Sequence, residues 1–311
     1  MKLKLLILLF LCIDFTNGQE KQVSVQNLSI NKFIDGTLIL PPDIEKPNLA
    51  IIIGGSGPTD RNGNQNLLKN NALKKLAEGI SNNDIATFRY DKRVVKQIRQ
   101  GIIDKDIMFD DFVTDAISVI DYFKSTKQFN KIYIIGHSQG SLVGMLAAKN
   151  RADGFISIAG AGQSIDKVIM EQLEKTAPMF TEDAKKVFQT LSKGETTENY
   201  PTALTSIFNK DIQAFMANWM QYDPKEEIKN LQFPILIING TKDLQVPEEE
   251  ATILKEASNH ASLVIIDKMN HVLVPIEGGD LENSKSYNES FRALSPKLVD
   301  AIIDFINKFQ H

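Results

Sequence analysis

The sequence predicts an α/β fold: a mostly parallel, eight-stranded sheet flanked by helices and interrupted by one helical insertion. Three observations carry this. Continuous apolar runs, such as Leu49 to Ile53 and Ile132 to Ile135, suit strands buried on both faces, as in a parallel sheet. These runs alternate with helical patterns over short connections, which calls for helices on both sides of the sheet. One long stretch, 165–231, has helical spacing throughout and no convincing buried strand.

The elements follow in order. Residues 1–18 read as a signal peptide: Lys2 and Lys4 give a basic start, Leu5 to Ile13 an apolar run, and Thr16 and Gly18 the small residues before a cut after Gly18. That order predicts an exported protein, periplasmic or secreted. Bulky Leu11 argues against lipid attachment at Cys12. Val23 to Ile30 and Phe33 to Leu40 read as paired strands closed by Pro41-Pro42. The run 49–53 comes next, then a helix over 67–80, a strand over 85–90, and a helix carrying Phe112, Ala116, Ile120 and Phe123, with Asp110 or Asp111 as its cap. Strands over 132–135, 155–159, 234–238 and 263–266 are interleaved with helices over 138–149, 251–257 and 298–309. The core therefore comprises 19–164 and 232–311, and the insertion 165–231.

Composition narrows the function. The chain has 311 residues and a formal charge of −4, which argues against a nucleic-acid binder with its usual basic face. A single cysteine, Cys12, excludes an intramolecular disulfide and any Cys-x-x-Cys metal site. No segment after the leader is apolar enough to span a bilayer.

Gly136-His137-Ser138-Gln139-Gly140 is a Gly-x-Ser-x-Gly sequence set between a predicted strand and a helix. A turn that tight exposes the serine hydroxyl in a strained conformation at a helix N-terminus, where negative charge is favoured. A serine hydroxyl is a weak nucleophile without a base. Of four histidines, His311 is terminal, His260 lies in a polar turn, and His137, adjacent to Ser138, is expected to point away from the hydroxyl. His271 follows a strand and so reaches the same sheet rim as Ser138. Asp243, just past the strand 234–238, is the preferred orienting carboxylate, with Asp267 and Asp223 as competitors. The order Ser138, Asp243, His271 is that of a hydrolase triad. An oxyanion hole needs two backbone N–H groups. Gln139 supplies one; Ser56, or alternatively Gly55, supplies the other from the loop Gly54-Gly55-Ser56-Gly57-Pro58.

With these residues in view, the chain resembles the α/β-hydrolases, and more narrowly the bacterial dienelactone-hydrolase-like and prolyl-aminopeptidase-like serine hydrolases, which include many short-acyl carboxylesterases. Four stretches carry the resemblance: 55–64, 136–140, Asn239 to Pro247 and Asn270-His271. It implies ester hydrolysis through an acyl-enzyme, a triad at Ser138, Asp243 and His271, and a helical lid at 165–231. It implies a small-molecule ester as substrate and no metal or organic cofactor. Two departures stand out. The family often has His at the position of Gly54, and Arg-Gly where this chain runs Asp91-Lys92-Arg93-Val94-Val95. Asp60, Arg61, Arg89 and Asp91 are expected to form an ion network behind the oxyanion loop.

Rival functions are a peptidase, which would need an amine anchor such as Glu171, Glu174 or Asp183, a thioesterase, and a non-catalytic binding module on the same fold. In the lid, Phe180, Phe215 and Trp219 are the candidate substrate contacts, with Phe188, Phe208 and Met220 beside them. The competing role for such aromatics is packing the lid onto the core. Oligomeric state is not legible.

Overall fold

A computed structural model describes residues 23–102 and 104–309. The leader 1–18, with Cys12, and the terminal His311 lie outside these residues.

Eight strands form one sheet: β1 (Ser24–Ser29), β2 (Asp35–Leu40), β3 (Leu49–Ile53), β4 (Ala86–Tyr90), β5 (Ile132–His137), β6 (Gly154–Ile158), β7 (Ile235–Gly240) and β8 (Ala261–Ile266). Their spatial order is β1-β2-β4-β3-β5-β6-β7-β8. β1 and β2 are antiparallel, β2 meets β4 antiparallel, and every other pairing is parallel. β3 and β5 pair from Leu49 with Ile132 to Ile53 with Gly136, so the loops after both leave the same rim side by side.

Strand periodicity sorts the core onto two faces. Ile51, Ile53 and Ile134 turn toward the face covered by α3 (Phe109–Thr126), α4 (Gln139–Ala148) and α10 (Glu248–Ala257). Ala50, Ile52 and Ile135 turn toward α1 (Ala72–Ser81) and α12 (Pro296–Lys308). Because both faces are covered, the parallel strands are apolar at nearly every position, which is why they read as continuous runs.

The helix expected over 67–80 begins later, at Ala72. Asn64 Oδ1 accepts from the N–H groups of Asn70 and Asn71, and Asn71 is left-handed (φ 56°). Asparagine side chains thus take the backbone donors that a helix would use, and Leu67 is 82% exposed. At α3, Asp111 is not the cap; it sits in the first turn and accepts from the Met108 N–H at 2.9 Å. Two short helices were not legible, α2 (Arg93–Arg99) and α11 (Asp280–Ser286).

Among the described residues, 165–231 holds no strand. It contains α5 (Ile165–Thr176), α6 (Thr181–Leu191), α7 (Thr205–Phe208), α8 (Lys210–Trp219) and α9 (Pro224–Glu227). These helices share a small core of their own, including Val187, Phe188, Leu191 and Phe208. α8 joins the body through aromatic rings: Trp219 stacks on Phe109 at 5.5 Å, and Phe215 meets Phe112 edge-on at 5.7 Å.

Candidate active site

The site is assembled from loops at the C-terminal ends of five parallel strands. After β5 the chain turns at once into α4, and Ser138 adopts φ 55° and ψ −125°. Glycine is dictated on either side of it. A Cβ at position 136 would lie 2.3 Å from Gly140 O, and one at 140 would lie 2.4 Å from Ile53 O. The turn therefore closes only without side chains there, and it presses directly against the end of β3. Ser138 N–H donates to Ile158 O at 2.9 Å, anchoring the turn to β6.

The loop after β7 supplies Asp243. Its Oδ1 accepts from the N–H groups of Gln245 (2.8 Å) and Val246 (2.9 Å). Its Oδ2 accepts from His271 Nδ1 at 2.8 Å, with both side chains almost fully buried. With the proton on Nδ1, the Nε2 of the neutral His271 ring is the nitrogen that can accept one. The His271 loop is braced by Asn270, whose Nδ2 donates to Asn283 Oδ1 and Ser286 Oγ on α11 at 2.8 Å each. Asn283 in turn donates to Lys242 O at 2.7 Å, tying the Asp243 and His271 loops together.

The competitors are placed elsewhere. Asp267 accepts from Thr241 Oγ1, and Asp223 caps α9 and pairs with Lys167. His260 is exposed and precedes β8, at the opposite rim of the sheet.

His137 departs from expectation. Its ring does not point away; it lies 4.9 Å from the ring of His271 and lines the same cleft as Ser138. Its Nε2 lies 2.8 Å from His271 O, and since a carbonyl only accepts, that nitrogen carries the proton. Burial and the neighbouring His271 push His137 down to about 4, so it is neutral near pH 7. Adjacency in an extended chain would put the two side chains on opposite sides, but the positive φ of Ser138 breaks that alternation and both line one cleft.

Two compartments meet at Ser138. The smaller, 90 Å³, is lined by Ser138, His271, His137, Gln65, Asn70 and Tyr287, among others. Burial pushes the Tyr287 phenol up to about 12, so it stays neutral. The larger, 260 Å³, lies under the helical segment, between Ser138, Gln139 and Leu142 on one side and Ile165, Val168 and Trp219 on the other. Ser56 lines both compartments and Gly55 the smaller.

Of the three candidate substrate contacts, Trp219 lines the larger compartment. Phe215 does not; its ring is spent against Phe109, Phe112 and Trp219. Phe180 packs into the inner core of the helical segment, as do Phe188, Phe208 and Met220. Helical spacing could not separate a packing face from a cavity face. The glutamines Gln163 and Gln245, in the loops after β6 and β7, and Gln172 on α5 also line the larger compartment, and no motif marks them in the sequence. Gln163 is held by the buried Glu250, which accepts from its N–H and its side chain.

The ion network is smaller than expected. Arg61 and Arg99 both pair with the buried Asp91, at 2.7 and 2.8 Å. They hold its carboxyl below the usual range against the opposing effect of burial. Asp60 instead closes its own loop by accepting from the Asn62 and Asn64 N–H groups. Arg89 is buried, and among the described residues its side chain donates to Asn62 alone, at 3.5 Å. One further residue was missed. Lys92, between β4 and α2, is 5% exposed, and burial pushes its ammonium down to about 7. Its position on the same rim as Ser56 was the available signal.

Comparison with known proteins bears on the fold and the family. A family model described as serine aminopeptidase, S33, matches residues 70–277. Esterase EstD of Thermotoga maritima is 25% identical over 283 residues, covering 86% of this chain and 63% of its own length. The chain thus spans less than two thirds of that curated relative. Est1E from Butyrivibrio proteoclasticus superposes with a TM-score of 0.57 at 17% identity, over 92% of this chain and 98% of that one. A dienelactone hydrolase from Anabaena variabilis gives 0.54 at 14% identity, over 93% and 98%. The structural likenesses carry the fold and the family match carries the lineage: this chain belongs to the serine aminopeptidase S33 family of α/β hydrolases.

Proposed function

We propose that the protein is a serine ester hydrolase that works through an acyl-enzyme on a small, short-acyl ester. The observation that carries this is the buried Asp243–His271 hydrogen bond beside a serine held at positive φ in the same cleft. Asp243 keeps the proton on His271 Nδ1, so Nε2 can take the Ser138 proton as the hydroxyl attacks the acyl carbon. Negative charge then develops on the carbonyl oxygen, where the N–H groups of Ser56 and Gln139 receive it. His271 returns the proton to the leaving alcohol, and a water activated by His271 releases the acid.

The two compartments divide the substrate. His271 lines only the smaller one, and the leaving oxygen must lie beside the group that protonates it. The alcohol therefore occupies the 90 Å³ side and the acyl chain the 260 Å³ side under the helices, which act as the lid. The polar lining around the alcohol, Gln65, Asn70 and Tyr287, suits a small hydroxylated leaving group.

The family name and the S33 match also raise a peptidase. An aminopeptidase must anchor a cationic amine, and neither compartment is lined by a carboxylate among the described residues. Glu171 accepts from Gln163 and Asp183 pairs with Lys186, so two of the acidic candidates are engaged on the helices. EstD and Est1E are named esterases, which supports the same preference. The leader 1–18 supports an exported enzyme, which N-terminal sequencing of the mature protein would check.

The test is a nitrophenyl ester series of increasing acyl length, run beside the matching aminoacyl anilides. Turnover should peak at short acyl chains and vanish in Ser138→Ala, and a fluorophosphonate should label Ser138. Preference for the anilides would overturn the ester reading, and absence of labelling would favour a binding module.

A further inference from the structure

Lys92 takes no part in the chemistry derived above, yet it sits directly behind it. Its Nζ donates to Gly55 O at 3.0 Å and to Gln139 Oε1 at 2.8 Å, and it lies 4.1 Å over the ring of Phe112. The side chain is buried, and its hydrogen bonds go to a carbonyl and an amide rather than to a carboxylate. Burying a cation without an anion is costly. An apolar side chain would fill the same space with less penalty, so packing alone does not account for a lysine here.

The two acceptors are informative. Gly55 O belongs to the peptide unit that also carries the Ser56 N–H, and that unit is planar. In a trans peptide the C=O and N–H bonds point in opposite directions, so holding the carbonyl from behind aims the N–H forward. A charge-assisted hydrogen bond to that carbonyl also polarises the peptide and strengthens its N–H as a donor. Gln139 is the other oxyanion donor, and its side chain is held by the same ammonium. Phe112, under the ammonium, fixes its position and offers a compensating π face.

We propose that Lys92 is a positioning residue for the oxyanion hole, clamping the Gly55–Ser56 peptide and the Gln139 side chain so that both N–H groups converge on the developing oxyanion. When protonated, it also places a positive charge one peptide unit behind the point where negative charge appears, an environment that is prepared before the reaction begins. This inference rests on the ester-hydrolase reading and on Ser56 as the second donor.

The experiment compares the wild type with Lys92→Met, Lys92→Arg and Gln139→Met on a short-acyl nitrophenyl ester. Each is also titrated with an aryl trifluoromethyl ketone, whose adduct with serine carries an oxyanion. Losing one oxyanion donor outright costs about 100- to 1,000-fold, so misaiming one predicts a fall in kcat of about 10- to 100-fold for Lys92→Met. KM should stay within about threefold, and the ketone should weaken by the same factor as kcat/KM, because both read the oxyanion. Lys92→Arg, which keeps cationic donors, should recover part of both losses. A merely structural lysine would lower stability and leave the ketone-to-KM ratio alone. If Lys92→Met does not fold by circular dichroism, Gln139→Met carries the test. It keeps the backbone N–H and loses one acceptor, and kcat and ketone affinity should fall together by about threefold to tenfold. A wild type that turns over ester while these variants keep kcat and ketone affinity within twofold overturns the role of Lys92 alone. A wild type that neither turns over ester nor takes the fluorophosphonate overturns the hydrolase reading, and this inference with it.

Discussion

The two walls of the cleft are built by different rules. The sheet wall is held by directed bonds: Asp243 accepts three hydrogen bonds, His271 is fixed by Asp243 and His137, and Asn270 and Asn283 tie the two loops together. The helical wall has its own small apolar core and leans on the body through a few rings and surface contacts. Examples are Lys105–Asp211 and the Asp110 carboxylate, which accepts from Asn218 and Tyr222. Exposed pairs of this kind contribute little, about 0–1 kcal/mol each. The residues proposed for the chemistry, which depends on angles and distances, sit on the wall held by directed bonds, whereas the helical side of the larger compartment rests on apolar packing.

The largest expected effect tests the rigid wall. In Asp243→Asn the backbone donors of Gln245 and Val246 can still be met by the amide oxygen, but the amide nitrogen faces His271 Nδ1. That nitrogen donates, so it favours the wrong imidazole tautomer, and kcat should fall by about 10³- to 10⁴-fold. Thermal unfolding should move far less than activity does. A modest kcat loss matched by a large loss of melting temperature would instead make Asp243 a structural residue.

The helical wall predicts a different pattern. Trp219 both stacks on Phe109 and lines the larger compartment, so Trp219→Ala removes packing and widens the acyl side. Its half-buried ring suggests a stability loss of about 2–3 kcal/mol, below the range for a fully buried tryptophan. The preferred acyl chain should lengthen, with kcat on the shortest ester nearly unchanged. An unaltered chain-length profile would remove Trp219 from the acyl wall.

The same contrast explains what was legible in the sequence. Parallel strands buried on both faces leave unbroken apolar runs, and the serine turn leaves glycines where no side chain fits, so the sheet and the positions of Ser138, Asp243 and His271 could be located. Amphipathic helices expose the same spacing whether the apolar stripe meets another helix or a cavity. Phe215 and Trp219 are one turn apart on α8, and only tertiary packing sends one to the core and the other also to the compartment. Lys92 illustrates a related limit of sequence reading. A charged or polar side chain is read as exposed until a neighbour far along the chain is seen to cover it.

A third effect concerns pH and falls on His137. Its folded value, about 4, lies below the ordinary histidine value of 6.5, so the unfolded chain binds more protons between these pH values. Stability is therefore fully present above about pH 6.5 and is lost as the pH falls toward 4, by up to about 3 kcal/mol. His137→Gln should flatten this acid limb of the melting-temperature profile. A limb that persists unchanged would assign it to the carboxylates, such as Asp91, that pair with arginines in the folded protein.

The smallest effect probes the cost of the serine turn itself. Ser138 holds φ 55° and ψ −125°, a conformation that glycine adopts without strain and that costs other residues about 1–3 kcal/mol. Ser138→Gly releases that strain but adds backbone freedom to the unfolded chain, which opposes folding by about 0.5–1 kcal/mol. Strain is the larger quantity, so Ser138→Gly should melt higher than Ser138→Ala, which loses the hydroxyl and keeps the strained Cβ. For a chain of this size a net gain of about 1 kcal/mol corresponds to about 2 °C. Both variants lack the nucleophile, so the comparison is free of catalysis. Equal melting temperatures would mean that the surrounding bonds, Ser138 N–H to Ile158 O among them, impose no conformational cost on the serine they hold.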